Sequence, residues 1–156
     1  MPKKPISRAI IIDVLQETFN ERAPFNSLLG IQVHEQAEGP ACIKIDMKPE
    51  LIGNFVTGVL HGGVITSLLD VIGGWIAIEG VLKQLRMTTR EEVFYHLSKL
   101  GTIDLRVDFL RPGKGKSFAA TGTVLRTGKR VAVTRTEFRN EENLLIAVGT
   151  GTYIIG

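Results

Sequence analysis

Between Asn54 and Gly74 the sequence reads NFVTGVLHGGVITSLLDVIGG, an apolar run holding one carboxylate, Asp70, one imidazole, His61, and the glycine pair Gly62 and Gly63. A carboxylate on a buried helix costs several kcal/mol unless it is paired, hydrogen-bonded or facing a wet cleft. Asp70 is therefore either a partner for backbone donors of a neighbouring loop, or a general base or nucleophile aimed at an electrophilic carbon. Gly62 and Gly63 stand where such a helix would begin, with its first N–H groups unpartnered and its dipole positive. A carbonyl resting there would be polarised as its oxygen gains charge, an effect worth about 3 kcal/mol per donor. The plainer reading of the pair is a loop running into a helix. Gly62 and Asp70 are eight residues apart, about 12 Å along one helix. One copy cannot present both to a single carbonyl, whereas two copies with antiparallel helices about a twofold axis can.

The elements that must hold these groups follow from hydrophobic period. From His61 to about Leu82 apolar residues surround the axis on nearly every side, so this helix must be buried all round, most simply by a sheet wrapped about it. Ile6 to Glu21 is expected to form an amphipathic helix capped by Ser7 and ended at Pro24, and TREEVFYHLSK a further helix with Thr89 and Glu92 at capping-box spacing. Gly30 to Ala37 and Ala41 to Met47, joined at EGP, read as a hairpin. Thr102 to Leu110 alternates, with Ile103, Leu105, Val107 and Phe109 on one face; strands at Ser117 to Arg126, Arg130 to Arg139 and Leu144 to Ile155 follow, separated by the short turns TGK and NEEN. Six strands around a buried helix give an α+β architecture, expected as one domain over 1–156 with the helix of residues 1–24 packed on it.

Composition narrows the partners. At 156 residues, 44% hydrophobic and 22% charged, the chain suits one globular core, and its net charge of +3 is too mild to argue for nucleic acid. The basic start MPKKPISRAIIIDVLQETF lacks the apolar core and cleavage site of a signal peptide, and Phe55 to Leu69 stops at Asp70 before reaching membrane-span length, so a cytoplasmic protein without a membrane span is expected. Cys42 is the single cysteine and reads as a small buried hydrophobe. His34 and His96 have no companions that suggest a site.

The stretch NFVTGVLHGGVITSLLD, followed by GTIDLRVDFLRPGKG, resembles the signature of hotdog-fold acyl-CoA thioesterases of the PaaI-like group, over about Phe25 to the C-terminus. The extra helix after the central one resembles the bacterial medium/long-chain, YigI-like branch. The resemblance implies an antiparallel sheet of about six strands around the central helix, a homodimer or dimer of dimers, acyl-CoA as substrate, and no cofactor or metal. It implies that Asp70 activates water or attacks the thioester, that the Gly62 amide holds the carbonyl with Gly63 beside it, and that Thr102 helps hold the attacking water unless it is an ordinary strand threonine. His61 becomes a positioning group near the thioester sulfur or a partner within its own loop. An Asn usually stands six residues before the His in this family; here Asn54 stands seven before it. Arg111, Lys114 and Lys116 in one turn and Arg126, Lys129 and Arg130 in another either solvate the surface or bind the coenzyme's phosphates near the mouth of the site. An apolar tunnel is expected among Val64, Leu68 and Phe109. A hotdog hydratase or dehydratase and a non-catalytic acyl-CoA-binding protein are the alternatives.

Overall fold

A computed structural model of the chain describes residues 4–36 and 39–156. The basic first residues Met1 to Lys3, and Ala37 and Glu38 of the expected hairpin, lie outside the described residues.

The N-terminal segment winds as α1 (Arg8–Gln16), whose Ser7 cap accepts from the Ile10 amide at 3.4 Å, and continues as a wider π turn over Glu17–Arg22. This helical segment ends at Arg22, before Pro24 as expected, but Pro24 does not end helical structure. It opens a short α2 (Pro24–Leu29), because a proline at the first helical position lacks only an N–H that would go unpaired there. Gly30, expected to begin a strand, is the left-handed cap of α2 at φ 73°.

β1 (Gln32–His34) and β2 (Cys42–Asp46) pair antiparallel as expected. A small hairpin of β3 (Ile52–Asn54) and β4 (Val59–Leu60), which period did not reveal, leads into α3 (Gly62–Leu82). After α3 come α4 (Arg90–Leu97), with Thr89 accepting from the Glu92 amide, then β5 (Gly101–Phe109), β6 (Ser117–Thr127), β7 (Val131–Asn140) and β8 (Leu145–Ile154). The main sheet has the order β1-β2-β6-β7-β8-β5, antiparallel throughout.

This sheet wraps α3 in the expected hotdog arrangement, with β2, β6, β7, β8 and β5 all against it. Alternate residues of β7, Ala132, Thr134, Thr136 and Phe138, face inward and are buried. Val14, Leu15 and Phe19 of the N-terminal segment and Val93 of α4 join the same core, and Phe19 meets Trp75 edge-on at 5.2 Å. By length and composition α3 could cross a membrane, but 67% of that stretch lies buried inside the protein. α4 is fastened to the N-terminal segment by Arg90, whose guanidinium reaches Asp13 at 2.6 Å and Glu17 at 2.7 Å.

β5 departs from simple alternation. Its pairing with β8 slips between Thr102 and Asp104, and Ile103 and Phe109 are 57% and 53% exposed rather than turned into the core. β5 is an edge strand of the sheet, and among the described residues no further strand pairs on its outer side.

The mid-helix glycine pair at 73 and 74 has a steric cause. A Cβ on Gly73 would overlap the Tyr153 hydroxyl and lie 2.8 Å from its ring carbon, so only glycine lets β8 press that tyrosine onto the helix. A Cβ on Gly74 would meet nothing nearer than 3.7 Å. Alanine is the better helix former by about 1 kcal/mol, so the two substitutions should differ in sign. Gly74→Ala should hold or raise the melting temperature. Gly73→Ala should cost about 1–3 kcal/mol through overpacking, lowering Tm by roughly 2–4 °C per kcal/mol, as read by thermal denaturation of the two variants side by side.

Candidate active site

α3 carries both ends of the site. At its start His61 is the N-cap, and its Nδ1 accepts from the Gly63 amide at 2.8 Å. The acceptor role at Nδ1 assigns the neutral ring's proton to Nε2. A Cβ on Gly63 would stand 2.9 Å from that Nδ1, which is why a glycine follows. The Gly63 N–H is thus engaged inside the protein, whereas the Gly62 N–H has no partner among the described residues. Gly62 is the first residue of the helix, partly exposed, with the Phe109 ring 3.5 Å from where a Cβ would lie.

Two turns further on stands Asp70, half-buried. Its Oδ1 accepts from the Thr102 hydroxyl at 2.9 Å, and no backbone N–H reaches the carboxylate among the described residues. The Tyr153 hydroxyl donates to the Asp70 carbonyl at 3.1 Å. Burial, and then the negative charge of Asp70, push the Tyr153 phenol far above its ordinary range, so it remains a donor at any working pH. Asp70 and Thr102 stand at one side of a cavity of about 280 Å³, whose walls include Phe19, Asn26, Gly74, Leu100 and Tyr153. The tunnel expected among Val64, Leu68 and Phe109 is not this cavity: Leu68 is sealed in the core, Val64 nearly so, and Phe109 covers the start of α3.

The other expected residues are scattered. Asn54 Oδ1 accepts from the amides of Val56 at 3.0 Å and Thr57 at 3.4 Å, closing the turn between β3 and β4 on itself. Arg111 donates to the Leu145 carbonyl at 2.9 Å in the turn before β6, where Lys114 is exposed and where the Leu60 amide donates to the Gly113 carbonyl. Arg126, Lys129 and Arg130 are exposed at the opposite end of β6, roughly 33 Å away. Lys129 lies near Gln84, past the C-terminal end of α3. A single chain therefore does not bring the two basic turns to one mouth. Among the described residues no three His, Cys, Asp or Glu side chains converge as metal ligands would.

Tyr153 and the cavity walls were not singled out from the sequence. The one signal pointing to them is the GG that follows Asp70 inside a helix, since glycine in a helix interior marks a close approach by something else.

Comparison with known proteins agrees with this architecture. Residues 57–147 match the model of the Thioesterase superfamily. The chain is 41% identical over 145 residues to the medium/long-chain acyl-CoA thioesterase YigI of Salmonella typhimurium, covering 93% of this chain and 94% of that protein, and the same values hold for its Escherichia coli K12 counterpart. A crystal structure from Shewanella oneidensis, described as related to the thioesterase superfamily, superposes with a TM-score of 0.88 at 46% identity, covering 96% of this chain and all of that one. With the family model spanning more than half of its length and these relatives spanning nearly all of it, the chain belongs to the thioesterase superfamily.

Proposed function

We propose that this protein hydrolyses medium- to long-chain acyl-CoA thioesters to fatty acid and free coenzyme A, at a site completed by a second copy of the chain. The observation that carries the reading is the Asp70 carboxylate, held on one oxygen by Thr102 and bordering a largely apolar cavity, in a chain whose relatives are named for this reaction. With Oδ1 occupied, Oδ2 remains to take a proton from water as its oxygen attacks the thioester carbon. The oxyanion that forms is met by the free amide of Gly62. When the C–S bond breaks, the thiolate leaves and receives the proton from Asp70. Attack by the carboxylate itself would give an anhydride that water then opens. A single turnover in heavy-oxygen water detects the second route where water opens the anhydride at the Asp70 carbon, which leaves label in Asp70 as general-base hydrolysis never does.

Asp70 and Gly62 lie about 12 Å apart on one rigid helix, so the Gly62 amide that serves a given Asp70 comes from a second copy. An antiparallel pair of α3 helices achieves this. It also carries the C-terminal end of one helix, with its Arg126, Lys129 and Arg130 turn, to the end of the molecule where the other copy holds Arg111 and Lys114. The coenzyme's phosphates would then meet cations from both chains. The exposed apolar edge of β5, with Ile103 and Phe109, suits such an association. We take residues 1–156 as one catalytic domain. The reading is that of a cytoplasmic enzyme, in keeping with the buried thiol of Cys42.

In this mechanism His61 positions rather than transfers protons: it holds Gly63 and so aims the neighbouring Gly62 amide. His61→Ala should cost about 1 kcal/mol of stability as a lost cap and reduce turnover, and His61→Asn, which returns an acceptor, should restore both. A proton-transfer role would leave His61→Asn as inactive as His61→Ala.

Thiol release measured from acyl-CoAs of graded length tests the whole. Asp70→Asn should lose two or more orders of magnitude. Gly62→Pro deletes the free donor at a position where a helix accepts proline and should lose about 10²–10³-fold. Mixing these two inactive variants under conditions that exchange subunits should regenerate activity. Continued inactivity of the mixture would sink the shared site, and wild-type protein that binds acyl-CoA without releasing thiol would sink the hydrolase.

A further inference from the structure

We infer that Phe19, braced against Trp75, is the end stop of the acyl pocket, so that the N-terminal π turn and α4 set the chain length the enzyme accepts. The inference rests on the hydrolase reading and deepens it.

The cavity beside Asp70 runs along one face of α3, meeting it at Asp70, Val71 and Gly74. Asp70 and Gly74 are one helical turn apart, about 6 Å. The direction away from the Asp70–Thr102 end is therefore toward the level of Trp75. There the walls change character: Phe19 comes from the π turn, Leu97 from α4, and Leu100 from the turn into β5. Thr18 and Asn26 also reach this wall, so the lining is mixed, with the larger share apolar. An alkyl chain whose thioester sits at Asp70 would lie along the apolar part of this wall and be halted by the phenyl ring.

Phe19 is in turn fixed. It is buried, its ring packs edge-on to Trp75, its carbonyl accepts from Asn26 Nδ2 at 2.9 Å, and the segment that carries it is tied to α4 by Arg90 through Glu17. A stop set in a braced segment defines a length; a loose one would only discourage the longest chains. Gly74 sets the width at the middle of the channel, where any side chain would intrude on the space beside Leu100 and Tyr153.

The test compares kcat/KM for octanoyl-, dodecanoyl- and palmitoyl-CoA among wild type, Phe19→Ala, Phe19→Leu and Gly74→Ala. Each methylene taken out of water is worth about fourfold. Room for two more in Phe19→Ala should raise the palmitoyl-to-dodecanoyl ratio by about fifteenfold, with Phe19→Leu moving the same way by less. Gly74→Ala should lower the ratio of long to short chains. Phe19→Leu carries the test should Phe19→Ala fail to fold. Trp75, the only tryptophan, supplies a second readout independent of catalysis. In Asp70→Asn, palmitoyl-CoA should change its emission, and free coenzyme A should not.

Active variants whose chain-length ratios match wild type would overturn the inference and leave the hydrolase standing. Emission that responds to acyl chains, in a protein whose wild type releases no thiol, would support the pocket and overturn the hydrolase. Neither thiol release nor an emission response would overturn both.

Discussion

The fold depends on one constraint: α3 is apolar over most of its circumference, so those sides must be covered, and a strip through Gly63, Thr66, Ser67 and Asp70 stays partly open. The sheet covers most of it, and the N-terminal segment and α4 cover a further part. Within that enclosure a carboxylate is tolerated only where the cover is incomplete. The cavity at Asp70 is that place. The apolar residues that make the helix a core element thereby set the chemistry's address: a single acid, at the side of a largely apolar, open-sided cavity, with one oxygen fixed by a strand hydroxyl.

The helix start shows a division of labour between two adjacent amides. Both would be unpaired in an uncapped helix. His61 takes one, which stabilises the turn and fixes the local geometry; the other remains outward-facing at the positive end of the dipole. A serine or aspartate cap would do the same capping. The imidazole is larger, and its bulk is accommodated because Gly63 has no side chain. Of the glycine pair, readable from sequence only as permissive backbone, Gly63 has a steric reason to be glycine, whereas a Cβ on Gly62 would meet nothing nearer than 3.5 Å.

Much of this was legible in the sequence, for reasons that also explain what was not. All-round apolarity gave α3 and the out-of-place Asp70, alternation and short turns gave β6 to β8, and Ser7 and Thr89 marked two caps that exist. These are local signals. α2 was hidden because Pro24 can end one helix or begin another, and its role is set by whether the next turn finds packing. The inward alternation expected of Ile103 and Phe109 failed because an edge strand's orientation depends on what lies beyond it. The two basic turns look close in sequence, but a strand of eleven residues stands between them. The cavity was least legible, since its walls come from residues near 19, 26, 74, 100 and 153, and only tertiary folding assembles them.

The helix and the loop before it differ in how they respond to a change of length. The β3–β4 turn closes on Asn54 through bonds to its own next residues, so an added residue there is absorbed locally and leaves His61 where it was. The segment from Gly62 to Asp70 has no such freedom. One residue more or fewer would rotate the carboxylate by about 100° around the axis, away from Thr102 and the cavity, in every copy at once. That segment is a ruler, and homologous chains should vary in the loop that precedes it while keeping its count.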